Sequence, residues 1–299
     1  MRVSLGPILY YWPRPRMELF YQQLIGLPLD VIYLGETVCS KRRAFSAAEW
    51  IELGRQLQTQ GKQVTLSTLA LIESGSELGV VRRLCNNGEL LVEANDMGAV
   101  QILAESKIPF AAGPGLNIYN SHTLKLLYRL GAQRWVAPVE ISRHGLADIL
   151  SATHSMALTG LETEVVSYGR LPLAYSARCF TARAYNIPKD HCEFKCLDLA
   201  DGLAMESREN VPLFTINGIQ LQSGRIVNLL PEWREMGEIG VSMMRISPVA
   251  SGTGDVVEQF CGVVAGTTDV DTAMQALPQE VTCNGYWHGK PGMAHVAAT

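Results

Sequence analysis

The segment Val31-Ile32-Tyr33-Leu34-Gly35 is a short, apolar and partly β-branched run, which is typical of a buried strand. A helical pattern follows at Ala47–Gln60, and the next apolar run begins at Gln63. Ser46 precedes Glu49 at the spacing of a capping box, which marks the start of that helix. Because a strand, a helix and a second strand follow one another so closely, we expect parallel strands joined by crossover helices.

The same rhythm continues in both directions from this segment. Further strands are predicted at Arg2–Leu5, Gln63–Thr68, Leu90–Glu93, Phe110–Ala112, Trp135–Ala137 and Thr163–Ser167. Further helices are predicted near Met17–Ile25, Glu77–Asn86, Met97–Glu105, Ser121–Leu130 and Gly145–His154. About seven strand–helix units in the first ~170 residues favour a (β/α) barrel over a doubly wound open sheet. Gly-x-Gly-x-x-Gly does not occur after the first strand, which weakens the case for an open sheet of the dinucleotide-binding type.

The rhythm breaks after Gly169. Residues 170–210 mix prolines, charges and three cysteines, and we expect an irregular excursion there. Apolar runs return at Pro212–Ile216, Arg225–Asn228 and Met243–Ile246, and these are predicted to close the barrel. The prediction is therefore one α/β, barrel-like domain over residues 1–299 that carries a cysteine-bearing excursion.

Composition excludes some classes of function. The chain has 299 residues, and its apolar content of 47% is ample for a buried core. Its net charge of −4 argues against broad binding to nucleic-acid phosphates. No stretch approaches ~18 uninterrupted apolar residues, so no transmembrane segment is predicted. Pro7, Pro13 and Pro15 interrupt the apolar N-terminus, which does not resemble a secretory signal. We expect a cytoplasmic protein whose cysteines stay reduced.

Four of the seven cysteines form the most informative pattern in the chain. Cys192 and Cys196 are four positions apart, so on a helical turn both sulfurs would share one face. Cys179 precedes them, and Cys39 follows the strand predicted at Asp30–Leu34. Four thiolates would hold a tetrahedral metal ion or an iron–sulfur cluster. One alternative is packing in the core, which we expect for Cys85, Cys261 and Cys283. Disulfides are a second alternative, disfavoured because the cysteine count is odd and no secretory signal is predicted.

In a barrel, functional groups gather at the carboxyl ends of the strands. Cys39 would then lie at the rim that also carries the 170–210 excursion, so the fold itself would bring the four sulfurs together. Other polar residues expected at that rim are Glu36, Ser67, Thr68, Glu93, Asn95, Asn117, Asn120 and Glu140.

Several of the polar residues have two interpretations. Asn117 and Asn120 could bind a substrate, or Asn120 could cap the helix that follows. His191 is either an acid–base group or a solvated turn residue, and Arg178 and Arg183 either offset thiolate charge or face solvent. Neither Gly-x-Ser-x-Gly nor His-Glu-x-x-His occurs, so no hydrolase motif is present and no catalytic residue can be named.

At these residues the chain resembles a known family. The segment Glu164–Cys179, followed by Cys192 and Cys196, resembles the signature region of the collagenase-like peptidase family, and Asn117-Ile118-Tyr119-Asn120 adds to the likeness. More narrowly, the segment Gly35–Arg42 and the overall length resemble the short family members of oxygen-independent ubiquinone biosynthesis. One departure is Ala177, where many members have glycine before the first signature cysteine.

The resemblance implies a barrel-like fold and a [4Fe-4S] cluster on Cys39, Cys179, Cys192 and Cys196. It implies a heterodimer with a sister subunit that carries its own cluster, and a role in hydroxylating a ubiquinone precursor without dioxygen. A lipid-binding accessory protein and prephenate, as an oxygen source, belong to the same expectation. A zinc-stabilised binding subunit and, less favoured, a peptidase are the alternatives.

Overall fold

The computed structural model describes residues 1–279 and 281–297, and strands alternate with helices along most of this range. The strands are β1 Arg2–Leu5, β2 Val31–Leu34, β3 Gln63–Ser67, β4 Leu91–Ala94, β5 Phe110–Ala112, β6 Ala132–Val136, β7 Glu162–Gly169, β8 Pro172–Tyr175, β9 Leu203–Glu206, β10 Pro212–Asn217, β11 Gln220–Ser223, β12 Ile226–Asn228, β13 Met243–Ile246 and β14 Thr282–Cys283. The α-helices are α1 Arg14–Leu24, α2 Ala47–Thr59, α3 Gly75–Cys85, α4 Met97–Glu105, α5 Ser121–Arg129, α6 Arg143–Ser155, α7 Phe180–Ala184, α8 Trp233–Glu238, α9 Thr253–Ala265 and α10 Val270–Ala276.

Strands β1 to β7 and β13 form a closed parallel barrel. Strands β1 to β7 pair in chain order, and β13 pairs in parallel with both β1 and β7. The predicted (β/α) barrel is therefore confirmed. Helices α1 to α6 follow β1 to β6 one by one, as the right-handed crossover of parallel strands requires.

The predicted closure of the barrel is only partly right. Of the three late runs, only Met243–Ile246 enters the barrel. The run at Pro212–Ile216 pairs antiparallel with β9 and β11, because a tight turn at Gly218 folds it back on the next strand. The run at Arg225–Asn228 pairs antiparallel with the end of β7 as β12. Neither run has a helix before it that could return the chain to a parallel partner.

A second, four-stranded antiparallel sheet of order β8-β11-β10-β9 sits at one end of the barrel. We call this sheet and the short helices between β8 and β9 the rim insertion, residues 172–223. The predicted irregular excursion was wrong in part, since β8 and β9 are regular strands of this sheet. Trp12 and Ala250 tie it to the barrel: Trp12 Nε1 donates to the Ala200 carbonyl oxygen (2.7 Å), and the Ala250 amide donates to Asp201 (2.6 Å).

The barrel interior carries a buried ionic network besides its apolar core. Arg245 on β13 pairs with Glu164 on β7 (2.9 Å) and with Glu93 on β4 (2.8 Å). Tyr33 on β2 donates to Glu164 (2.5 Å), and Arg134 on β6 donates to Tyr33 (3.0 Å). These bonds fasten five strands of the barrel from inside, and removal of one charge would leave another buried without a partner.

Local signals account for the element boundaries. The capping box of Ser46 and Glu49 is present at the start of α2, and a second one, Ser74 with Glu77, begins α3. Gly61 follows α2 with a φ of 81°, as a left-handed helix end requires. In the described residues, no helix is long and apolar enough to cross a membrane.

Candidate functional site

Cys39 lies in the loop after β2, at the carboxyl end of the barrel. The loop leaves the strand through Gly35, whose φ is 126° and where a Cβ would lie 2.3 Å from the Ser67 carbonyl oxygen. Only glycine fits that approach. The carboxylate of Glu36 then accepts hydrogen bonds from the amides of Val38 (2.9 Å) and Cys39 (3.0 Å). The backbone that carries the sulfur is therefore held at the rim.

Cys179 reaches the same rim from the insertion. It caps α7, and its sulfur accepts from the Ala182 amide at 3.4 Å. The Phe180 amide donates to the carbonyl oxygen of Gly218 (2.7 Å), which stands first in the β10–β11 turn with a φ of 63°. Cys39 and Cys179 pack together against a small apolar cluster of Leu9, Val38 and Ile219. Packing and turn geometry thus join two sulfurs that are 140 positions apart in the sequence.

The i,i+4 helical reading of Cys192 and Cys196 is wrong. Cys192 ends one short 3-10 turn, Lys189–His191, and Cys196 lies in another, Lys195–Asp198. Between them Glu193 and Phe194 take left-handed backbone conformations, with φ of 50° and 52°. An α-helix cannot pass through two such residues. A tight reversal, rather than a helical face, sets where these two sulfurs lie.

The structure brings the four predicted cysteines into one neighbourhood. All four are free and half-buried. Cys179 interacts electrostatically with Cys39 and with Cys196, and Cys196 also interacts with Cys192. Among residues 1–279 and 281–297, however, no group of three or more His, Cys, Asp and Glu side chains is arranged to hold a metal ion.

Burial favours the protonated thiols. It is the main cause that raises the pKa of Cys39 to about 11, against smaller opposing effects of the Lys41 amide and Arg42. Burial likewise raises the pKa of Cys196, although the Arg42 guanidinium acts in the opposite direction. Loading with a metal would have to displace these protons, so it would release acid.

Arg42 lies buried beneath the sulfurs, and sequence reasoning missed it. Its guanidinium donates to the Leu9 carbonyl oxygen (2.7 Å) and to Asn217 (2.7 Å), and it hydrogen-bonds Cys196. It therefore joins the β2 loop, the β10–β11 turn and the cysteine-bearing turn. The only sequence signal was a cationic cluster, Lys41-Arg42-Arg43, directly after Cys39.

Two lysines fasten the cysteine-bearing segment to the barrel loops. Lys41 donates to the Lys189 carbonyl oxygen (2.9 Å) and to Asp190 (3.0 Å). Lys189 donates to Glu73 (2.6 Å) and to the carbonyl oxygen of Ala177 (2.6 Å). Positive charge beside the sulfurs thus comes from Arg42 and Lys41. Arg178 and Arg183 are exposed, in agreement with the interpretation that they face solvent.

The remaining candidates have structural roles. Asn120 caps α5 through a bond from the Thr123 amide (2.8 Å), as its alternative interpretation predicted. Asn117 is an exposed turn residue with a φ of 52°. His191 is exposed on its turn. The three cysteines predicted for the core are buried there: Cys85, Cys261 and Cys283.

The mouth of the barrel forms a second polar site beside the cysteines. Ser67 and Asn95 donate to Glu93 (2.7 and 3.2 Å), which also pairs with Arg245. Tyr175 of β8 helps to close this mouth over a cavity of about 30 Å³. A cavity of that volume has room for water molecules but not for a substrate. Arg245 was missed, because one arginine in an apolar strand does not reveal which acids it meets.

Comparison with known proteins identifies the family of the chain, whereas the similar solved structures say nothing about its activity. The chain is similar to thiamine phosphate pyrophosphorylase from Pyrococcus furiosus (12% identity, 88% of this chain and 96% of that one, TM-score 0.47). It is also similar to a putative dihydrodipicolinate synthetase from Pseudomonas aeruginosa (10% identity, 92% and 80%, TM-score 0.48). At such values neither structure bears on the activity. The model of peptidase family U32 matches residues 21–272, and the chain therefore belongs to peptidase family U32.

Proposed function

We propose that this chain holds a [4Fe-4S] cluster on Cys39, Cys179, Cys192 and Cys196. It would act as the iron–sulfur subunit of an oxygen-independent hydroxylase in ubiquinone biosynthesis, which is the role of the U32 family member UbiV. A UbiU-like sister subunit would complete a heterodimer that takes a ubiquinone precursor. A lipid-binding accessory protein and prephenate, as the source of the added oxygen, complete the proposed system.

The observation that supports the proposal is that the four cysteines lie in one neighbourhood at the barrel rim. Cys39 and Cys196 interact with Arg42 there, and Cys179 and Cys192 interact with Cys196. Their donor chemistry fits, since thiolates are the ligands of [4Fe-4S] clusters. Arg42 and Lys41 fit as well, because cations beside thiolates offset their negative charge. When bound, such a cluster supplies electron transfer, or substrate activation if one iron accepts a further ligand.

The chain's own residues would keep the ligands in place. Glu36 holds the loop of Cys39, and Lys189 holds the segment between Cys179 and Cys192. Arg42 donates toward Cys196, which would lower the electron density on that sulfur. These contacts are made between protein groups alone, so they would meet part of the ordering cost of the site.

The first experiment is an anaerobic absorption spectrum with iron and sulfide analysis of the purified chain. We expect broad absorbance near ~400 nm and about four irons and four sulfides per chain. Cys192→Ala should lose iron and absorbance, whereas Cys85→Ala, in the core and away from the rim, should retain both. A colourless, metal-free protein after anaerobic reconstitution would overturn the proposal.

Metal analysis and activity assays separate the hydroxylase subunit from the zinc-stabilised subunit and the peptidase. One zinc per chain with no iron or sulfide would favour the zinc-stabilised binding subunit, because four thiolates also suit Zn²⁺. Cleavage of peptides by the pure chain, unaffected by Cys192→Ala, would favour the peptidase. For the hydroxylase, we expect a heterodimer containing Cys192→Ala to lose ring hydroxylation while it still assembles.

A further inference from the structure

A groove runs between the start of α2 and α3, on the outer side of the loop that carries Cys39. Its volume is about 700 Å³, within the range of small-molecule sites. We call it the α2–α3 groove and define it by Arg43, Phe45, Trp50, Val80, Arg83 and Leu84. It is far larger than the cavity at the barrel mouth.

The floor of the groove is apolar and aromatic. Trp50 and Leu84 are buried and belong to the main core, so the floor is rigid. The rings of Phe45 and Trp50 lie 4.6 Å apart at an angle of 42°. Val80 is half-buried on the facing side of α3. A surface of this kind suits the apolar body of a ligand.

The three acidic residues of the groove, Glu36, Glu49 and Glu77, are already engaged by the protein. Glu36 accepts from the amides of Val38 and Cys39 and pairs with Arg42 (3.7 Å). Glu49 bonds Ser46 and Arg14 (2.7 and 2.6 Å), and Glu77 bonds the Ser74 amide (3.0 Å) and Ser40. Glu49 and Glu77 thus stabilise the first turns of α2 and α3, and their negative charge is balanced by local donors.

The cations are not engaged to the same extent. The side chains of Arg43 and Arg83 are exposed, and within the described residues neither side chain makes a hydrogen bond or an ion pair. Arg42 also lines the groove. Its two terminal nitrogens are engaged by Leu9 and Asn217, but its buried Nε has no hydrogen-bond partner. The charge left over for a ligand is therefore positive, beside an apolar floor.

We propose that the α2–α3 groove binds an organic carboxylate with an apolar body. The body lies on Phe45 and Trp50, and the carboxylate meets Arg43 and Arg83 at the rim of the groove. Arginine suits this task because its planar guanidinium can donate two parallel bonds to a carboxylate. The binding needs no metal, so it goes beyond the proposed function and stands or falls separately from it.

Calorimetric titration with decanoate tests the proposal, with uncharged 1-decanol as the matched ligand. We expect one decanoate per chain and weaker binding of 1-decanol. Loss of an exposed arginine should weaken binding about threefold, and Arg43→Ala with Arg83→Ala together about tenfold. Arg82→Ala is the control, because Arg82 neighbours Arg83 on α3 but does not line the groove.

Val80→Trp should fill the groove and abolish binding while the circular dichroism spectrum stays that of the parent. If Val80→Trp unfolds the protein, the arginine variants still test the proposal, because they change only exposed side chains. Equal loss in the Arg82 and Arg83 variants, equal binding of 1-decanol, or no binding of decanoate would each overturn the proposal. The Cys192→Ala chain should bind decanoate as the parent does, whatever its iron content.

Discussion

Arg42 joins three parts of the rim at the cysteine site. Its guanidinium reaches the Leu9 carbonyl oxygen, Asn217 and Cys196 from one buried position. A lysine keeps the charge, but its three donors all lie on one nitrogen, so they cannot reach acceptors that are spread around a planar guanidinium. Sequence alone could not single out Arg42 from Lys41 and Arg43, because only its burial distinguishes it.

We expect Arg42→Lys to lower the free energy of unfolding by about 1–3 kcal/mol, since buried acceptors lose their donors. Iron bound after anaerobic reconstitution should fall as well. Urea denaturation and iron analysis measure the two effects. Arg43→Lys, on the exposed neighbour, is the matched control and should change neither. A stability of Arg42→Lys equal to that of the parent would show that the fork geometry is dispensable.

Arg245 decides the charge balance inside the barrel. Burial acts to raise the pKa of Glu164, but Arg245, together with Arg134 and Ser4, outweighs it and holds that pKa below its ordinary value. The ionised carboxylate therefore stabilises the fold at pH values above about 4.3, the unfolded value. That contribution is lost as the pH falls through the lower pKa of the folded state.

Arg245→Met should destabilise the fold by about 3–5 kcal/mol at pH 7, because it leaves buried carboxylates without their cation. The pKa of Glu164 should then rise with its burial, so the deficit against the parent should shrink as the pH is lowered from 7 to 5. Urea denaturation at the two pH values measures this. Glu164→Gln in the same chain should recover part of the loss, and a deficit independent of pH would contradict the assignment.

At the scale of elements, two helical glycines offer a test with opposite signs. Gly79 in α3 is exposed, and a Cβ there would meet no atom within 4 Å. Gly54 in α2 is buried, and a Cβ there would lie 2.5 Å from Leu90 Cδ1 and 3.3 Å from Val64 Cγ1. Helix propensity favours alanine at both positions, whereas packing opposes it only at Gly54.

We expect Gly79→Ala to raise the free energy of unfolding by about 0.5–1 kcal/mol. Gly54→Ala should lower it by about 1 kcal/mol, since its methyl group displaces buried side chains. Chemical denaturation of the two variants side by side measures both. A gain in stability at Gly54 would show that Leu90 moves aside at little cost.

The helices and strands differ in how well they could be predicted. Helix α2 has apolar positions at helical spacing and a capping box at its start, so its bounds were predicted to within one residue. The turn between Cys192 and Cys196 was not predicted, because Glu193 and Phe194 have no intrinsic preference for left-handed backbone. Contacts such as that of Phe194 with Tyr11 (5.8 Å between ring centroids) hold them there.

At the scale of the whole molecule, the proposed ligands cross-link two parts of the chain. Cys39 belongs to a barrel loop, whereas Cys179, Cys192 and Cys196 belong to the rim insertion. Side-chain hydrogen bonds and a small apolar cluster also join these parts at the site. A bound cluster would add bonds that must break before the insertion can open.

Amide hydrogen exchange should reveal this cross-link. We expect residues 176–206 to exchange about tenfold more slowly in the loaded protein than in the metal-free protein, while β3 stays unchanged. Cys39→Ala should abolish that protection, because it removes the barrel's ligand. Cys85→Ala should retain it. Equal exchange of residues 176–206 in the loaded and metal-free proteins would contradict a cross-link between the two parts.

The barrel, the helix caps and the division of the cysteines between core and rim could all be inferred from the amino-acid sequence. Those features depend on local periodicity, on capping residues and on the rule that loops after parallel strands meet at one end. Tertiary structure decided the antiparallel sheet, the burial of Arg42 and the acids that Arg245 meets. Each of these rests on contacts between residues far apart in the chain, such as Arg42 with Asn217 or Glu93 with Arg245, and no local pattern encodes such contacts.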